Sequence, residues 1–228
     1  MSNTVRIKHF LFSCTVVLVL YGLSDNITKA QEEQTPVRVG RLVYAGGMTS
    51  RCFADGFLDT VERETGIKMQ RTLEPVNLAS EQIFEFPLLI MTGEDGFTLS
   101  DTEKQNLKAY LNRGGFLLAS AGCSNQDWAV SYRRVMAEVL PDQSMQPISL
   151  DHPMFHTIYD IERIEVKKGS GGGAIYGLEM GGRLAAVFSP LGLNDTGNAG
   201  GGCCCCGGNE LKNAKQINAN ILVYSLIH

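Results

Sequence analysis

Apolar positions in this chain fall into short continuous runs separated by stretches with helical spacing. Residues 37–45 (Val-Arg-Val-Gly-Arg-Leu-Val-Tyr-Ala) read as a strand that stops at Gly46-Gly47. Residues 53–65 then place Phe57, Leu58 and Val61 on one helical face, and Gly66 supplies the stop. Lys68 to Leu73 reads as a second short strand. Pro87 to Met91 is an unbroken apolar run, the pattern of a strand buried on both faces, and it ends in Thr92-Gly93-Glu94-Asp95-Gly96.

The sharpest local signal is Ser100 with Glu103, a capping box, followed by Leu107, Tyr110 and Leu111 at helical spacing and a stop at Gly114-Gly115. Phe116 to Ala119 is another buried strand. Asn125 or Asp127 then caps a helix that carries Val130, Val135, Met136 and Val139 towards Pro141. Ala174–Met180 and Arg183–Ser189 flank Gly181-Gly182 as a hairpin. A loop from Pro190 to Asn209 follows, and a last helix aligns Leu211, Ala214, Ile217, Ile221 and Leu222. Gly169 to Gly173 reads as a turn without chemistry. Strand–helix alternation of this kind predicts an α/β domain with a mostly parallel sheet and helices on both faces.

The first thirty residues stand apart from this pattern. Arg6 and Lys8 precede an apolar stretch from Phe10 to Leu23, and Thr28-Lys29-Ala30 offers a small-residue cleavage site. The stretch is shorter than the roughly 20 residues a membrane span needs. Residues 1–30 are therefore expected to be a cleaved signal peptide, with 31–228 forming one domain that is secreted or periplasmic and has no permanent membrane span. Without the leader, 17 basic side chains face 23 acidic ones, a formal charge of −6. A mildly acidic, well-mixed surface argues against a nucleic-acid partner and points to an envelope ligand of unspecified kind.

Cysteine changes the picture most. Cys203, Cys204, Cys205 and Cys206 are consecutive and lie between Gly200-Gly201-Gly202 and Gly207-Gly208; Cys52 and Cys123 complete the six thiols beyond the leader. Ligands of open α/β sheets bind beyond the carboxyl ends of the strands. Cys52, Cys123 and the tetrad each follow a predicted strand, so parallel strands would gather them at one edge of the sheet. Thiolates favour soft metals, namely zinc, copper(I) or iron–sulfur clusters, although the spacing is not that of a paired-cysteine zinc site. Thiol redox chemistry and structural disulfides are the other uses, and export permits disulfides. Six cysteines allow fifteen pairings, among which the sequence does not choose.

Cys123 sits at a strand-to-helix turn, where a thiol is activated, and His152 or His156 would be the base for a cysteine hydrolase or amidase. Gly122-Cys123-Ser124 lacks the second glycine of a nucleophile elbow, and a turn with backbone-bonded histidines also accounts for Asp151-His152-Pro153. Glu94 and Asp95 form a carboxylate pair near the same edge. Arg51 and Asp55 flank Cys52, and Trp128, the one tryptophan, follows Cys123.

Taken together, several segments resemble the bacterial domain of unknown function 4159 family. They are Arg41-Leu42-Val43-Tyr44 with Gly46-Gly47, Phe86 to Leu89 with Met91-Thr92-Gly93, Leu99-Ser100-Asp101 with Glu103, and Leu107 to Phe116. Asp151-His152-Pro153 with Phe155, Tyr159 and Asp160, the strand from Gly182 to Ala185, and the closing helix extend the likeness. The resemblance implies a three-layer fold similar to flavodoxin and the class I glutamine amidotransferases, and implies no particular reaction. Members often carry acidic residues where Ala119 to Cys123 stands here. The cysteine tetrad departs from the family pattern too, as in a thiol-rich subgroup. No amidotransferase triad is matched. The expectation is an exported α/β domain that binds a soft metal or runs thiol redox chemistry at its cysteine edge. The alternatives are a Cys123 hydrolase and a non-catalytic, disulfide-stabilised envelope binding module.

Overall fold

The computed structural model describes residues 34–167, 173–200, 203 and 211–228. The expected leader and Cys204, Cys205 and Cys206 lie outside the described residues. Gln34–His228 forms one compact unit. Its strands are β1 (Val39–Val43), β2 (Glu74–Asn77), β3 (Leu88–Gly93), β4 (Phe116–Ala121), β5 (Gln146–Pro147), β6 (Tyr176–Met180) and β7 (Arg183–Ser189). Its helices are α1 (Gly56–Thr65), α2 (Asp101–Asn112), α3 (Gln126–Val139) and α4 (Ala214–Ile227). The sheet order is β2-β1-β3-β4-β7-β6-β5. From β2 to β7 every pairing is parallel, while β7–β6 and β6–β5 are antiparallel. The α/β architecture with a mostly parallel sheet is thus as the periodicity predicts.

Local chemistry accounts for the element boundaries. Ser100 and Glu103 form both halves of the capping box of α2, and Asn125, rather than Asp127, caps α3 by accepting from Trp128 N. Gly66 ends α1 in the left-handed region. Gly181 and Gly182 turn β6 into β7 with φ of 59° and 80°. The second strand runs over Glu74–Asn77 rather than 68–73; Met69 makes only an isolated bridge to Val37. Pro75 is tolerated because β2 is an edge strand with no partner on its outer side. Val130, expected on the buried face of α3, is 64% exposed, and the buried stripe instead runs through Trp128, Tyr132, Val135 and Met136.

The sheet separates two cores. On one face α2 and α3 cover Leu42, Leu89, Met91, Leu117 and Phe188. Trp128 stacks on Tyr132 with ring centroids 5.4 Å apart, and Tyr132 meets Phe188 at 4.8 Å. Trp128 Nε1 donates to the Tyr44 hydroxyl at 2.6 Å, which in turn donates to Thr92 O at 3.0 Å. Gly93 makes that close approach possible, since a Cβ there would lie 2.5 Å from the Tyr44 hydroxyl. On the other face α1 and α4 pack side by side over Val39, Leu88, Ile90, Leu118 and Val187. No helix of the described residues is long and apolar enough to cross a membrane.

Candidate functional site

Because β1, β3, β4 and β7 are parallel, the loops that follow them leave the same edge of the sheet. These are the loops carrying Cys52, Glu94, Cys123 and Cys203. Cys52 is disulfide-bonded to Cys203 across 151 residues, with Cα atoms 5.2 Å apart. The bridge joins the loop after β1 to the loop after β7. Cys123 is disulfide-bonded as well. It occupies the β4–α3 turn with φ 52°, and Ser124 follows with φ 55°. Two successive non-glycine residues in the left-handed region cost about 1–2 kcal/mol each, and neighbouring contacts hold the turn there. Ser124 Oγ donates to Leu191 O at 2.8 Å, tying this turn to the loop after β7.

Glu94 lies between the cysteine-bearing loops. Its Oε1 accepts from Ser50 Oγ at 3.4 Å, and that hydroxyl accepts from Cys52 N at 3.1 Å. The Glu94 stem packs on the β4–α3 turn so closely that a Cβ at position 122 would come within 2.8 Å of its Cγ. Glycine at 122 is thus a steric requirement of the carboxylate's position.

Beneath the loops lies a polar row that sequence reasoning missed. Thr92 on β3 pairs in register with Ser120 on β4, and Ser120 with Ser189 on β7, all three fully buried on the α1/α4 side. Asn194, also fully buried, plugs into this row. Its Nδ2 donates to Thr92 Oγ1 at 3.0 Å, and its Oδ1 accepts from Ser120 Oγ at 2.5 Å. Ser120 Oγ accepts from Leu193 N at 2.7 Å, and Asn218 of α4 donates to Leu193 O at 2.8 Å. Asn194 O accepts from Ala54 N at 2.8 Å, so the same residue holds the loop after β1. Among the described residues Ser189 Oγ and Asn218 Oδ1 have no hydrogen-bond partner. The available signal was three hydroxyl residues at equivalent positions near the ends of three apolar strands.

Cys52, Cys123 and Cys203 thus meet the loops at one sheet edge, as the parallel pattern required. In the oxidised state described, their sulfurs are engaged in disulfides rather than held as thiolates. Among the described residues no group of three or more His, Cys, Asp or Glu side chains is placed to hold a metal ion. The histidines lie elsewhere. His152 packs on Tyr224, which touches Phe116 at the start of β4, whereas Cys123 follows the end of β4. Six strand residues, about 20 Å, separate these two levels. His152 Nδ1 accepts from Met154 N, and burial pulls its pKa below the usual 6.5. His156 contacts Asp160 at 3.1 Å and Leu150 O at 2.7 Å, and the Asp160 bond raises its pKa. Both histidines are occupied by local turn contacts, and the structure does not bring them to Cys123. Trp128, although it follows Cys123 closely in the chain, sits in the α2/α3 core.

The fold and this edge define an α/β domain whose cysteine-bearing loops lie at the carboxyl edge of a mostly parallel sheet. The chain belongs to the family described as a domain of unknown function, DUF4159, whose model matches residues 38–226. No curated protein matches it.

Proposed function

We propose that this chain is an exported domain that acts in thiol–disulfide redox chemistry at the carboxyl edge of its sheet. The observation that carries the reading is the Cys52–Cys203 bridge. It links two loops above the buried Asn194 network and lies at the same edge as a second oxidised cysteine, Cys123. A strained turn at Cys123 is the kind of feature that persists where function needs it. The leading strand order β2-β1-β3-β4 supports a flavodoxin-like layout, in which the crevice outside the β1 and β3 ends receives ligands.

In this reading a dithiol donor reduces the bridge, taking it from disulfide to two thiols with transfer of two electrons and two protons. Reduced, Cys52, Cys123 and Cys203 would be thiols, and with Cys204 to Cys206 next in the chain the ligand type suits zinc, copper(I) or an iron–sulfur cluster, so metal binding is assigned to the reduced state. The length of chain that the bridge closes, 151 residues, also favours a second reading, in which the disulfides only brace an envelope binding module.

One experiment separates the readings. The protein is recovered from its native compartment and equilibrated in a series of thiol–disulfide buffers. Free thiols are then counted by alkylation and mass spectrometry, with elemental analysis of each sample. Reversible two-electron titration of the bridge in the folded protein supports redox use. Stoichiometric metal in the reduced samples adds the metal role. A bridge that opens only on unfolding sinks the redox reading and leaves the braced module.

A further inference from the structure

Around the segment that runs from Cys52 to the start of α1 lie three cations that form no ion pair among the described residues. Arg41 is on β1, facing the α1/α4 side with Val39 and Ile90. An arginine on a central strand is unusual in itself. Its Nε is fully buried and has no hydrogen-bond partner among the described residues. Arg51, adjacent to Cys52 in the chain, is close enough for its charge to act on Arg41. Burial and the Arg51 charge both pull the Arg41 pKa down, and only the Asp55 carboxylate opposes them. Lys215 of α4 adds a third cation nearby, its Nζ 3.7 Å from the position a Cβ would take on Gly56.

Asp55 is the acid whose charge opposes this shift, yet it forms no ion pair with either arginine. The ion pairs of the described residues run instead through other side chains, such as Arg38 with Glu74, Arg71 with Glu62 and Lys104 with Glu138. A buried donor without an acceptor, held beside a like charge, is costly unless something anionic completes it.

We propose that the substrate of the Cys52–Cys203 bridge is a small thiol bearing an anionic group, and that Arg41 and Arg51 receive that group. The inference rests on the thiol–disulfide reading and adds to it the substrate class. The substrate thiolate attacks one sulfur of the bridge. The sulfur–sulfur bond breaks, and the departing cysteine sulfur takes the electron pair and then a proton from water. A second substrate thiolate attacks the mixed disulfide, releasing the oxidised substrate and leaving Cys52 and Cys203 as thiols. Two substrate thiols are oxidised for each bridge reduced.

The test uses the oxidised, folded protein and three small thiols of similar size: mercaptopropionate (anionic), mercaptoethanol (neutral) and cysteamine (cationic). Opening of the Cys52–Cys203 bridge is followed by alkylation and peptide mass spectrometry. Each rate is divided by the same thiol's rate with a neutral small-molecule disulfide, which removes differences in intrinsic reactivity. The expected normalised order is anionic, neutral, cationic, with a gap of about tenfold between the first two. The gap should narrow at about 1 M salt. It should collapse in Arg51→Gln, an exposed position that keeps the test available if Arg41→Gln fails to fold, and in Arg41→Gln where that folds. Equal normalised rates, or a preference that survives both substitutions, would overturn the anionic-substrate inference while the redox reading stands. No opening by any of the three thiols in the folded protein would overturn the redox reading and this inference with it.

Discussion

The two faces of the sheet are built from different materials. Under α2 and α3, Trp128, Tyr132, Phe97 and Phe188 pack ring on ring; Tyr44 pairs with Trp128, while the buried Tyr132 hydroxyl has no hydrogen-bond partner among the described residues. Under α1 and α4 the apolar core gives way towards the carboxyl edge to Thr92, Ser120, Ser189, Asn194, Asn218 and the half-buried Arg41. The difference separates two tasks. One face supplies stability through burial, which has no direction. The other uses directional hydrogen bonds to fix where three loops sit, and these loops carry the cysteines.

The contrast is sharpest at Trp128. Trp128→Ala should cost about 3–5 kcal/mol, the usual price of an aromatic truncation in a packed core. Denaturant unfolding should show that loss in the oxidised and the reduced protein alike. A loss confined to the oxidised protein would mean that the two faces are not independent.

Replacing Cys52 and Cys203 together by Ser should lower stability by about 2–4 kcal/mol while leaving a single cooperative transition, because the apolar face holds the fold without them. A loss of cooperativity in the calorimetric scan would contradict that division. Asn194→Ala removes buried partners from Thr92 and Ser120 and should cost about 1–3 kcal/mol. Its distinguishing signature is local: faster amide exchange at Leu193 and Ala54 with little change in α2 and α3. Uniform acceleration across both faces would count against a locating role.

The smallest expected effect is at His152, which packs on Tyr224 at the end of the α1/α4 face opposite the cysteine edge. Burial depresses its folded pKa below 6.5, so the unfolded chain binds the proton more readily. Its contribution is therefore present above about pH 6.5 and is lost as pH falls through the folded value. The melting-temperature difference between the native protein and His152→Asn should shift against the native protein between pH 7 and pH 5. His156, raised by Asp160, acts with the opposite sign in the native protein, so only this paired comparison isolates His152. A constant difference would show that the site does not titrate in that window.

Much of the fold was legible because its signals are local. Ser100 with Glu103, Gly66, and Gly181-Gly182 each mark an element end by the backbone geometry they favour, and each does so here. The second strand was misplaced because an edge strand with Pro75 carries little apolar pattern. Val130 was misassigned because one apolar residue on the outer face of a helix costs little. At the site, the gathering of cysteine loops followed from parallel strands, but the pairing did not, since loop conformation decides which of fifteen arrangements forms. Asn194 was out of reach because its partners, Thr92 and Ser120, lie 102 and 74 residues away. Glu103 is similar: its capping role was visible, but its second bond, from Ala45 N at 2.7 Å, depends on tertiary contact.

The bridge between Cys52 and Cys203 has a topological consequence. It turns most of the domain, from Cys52 ahead of α1 to Cys203 in the loop after β7, into a covalent ring. A protease that cuts once inside this ring opens it without releasing a fragment. Such a nicked molecule would migrate near full length on a denaturing gel until reductant is added, and would then fall into two pieces.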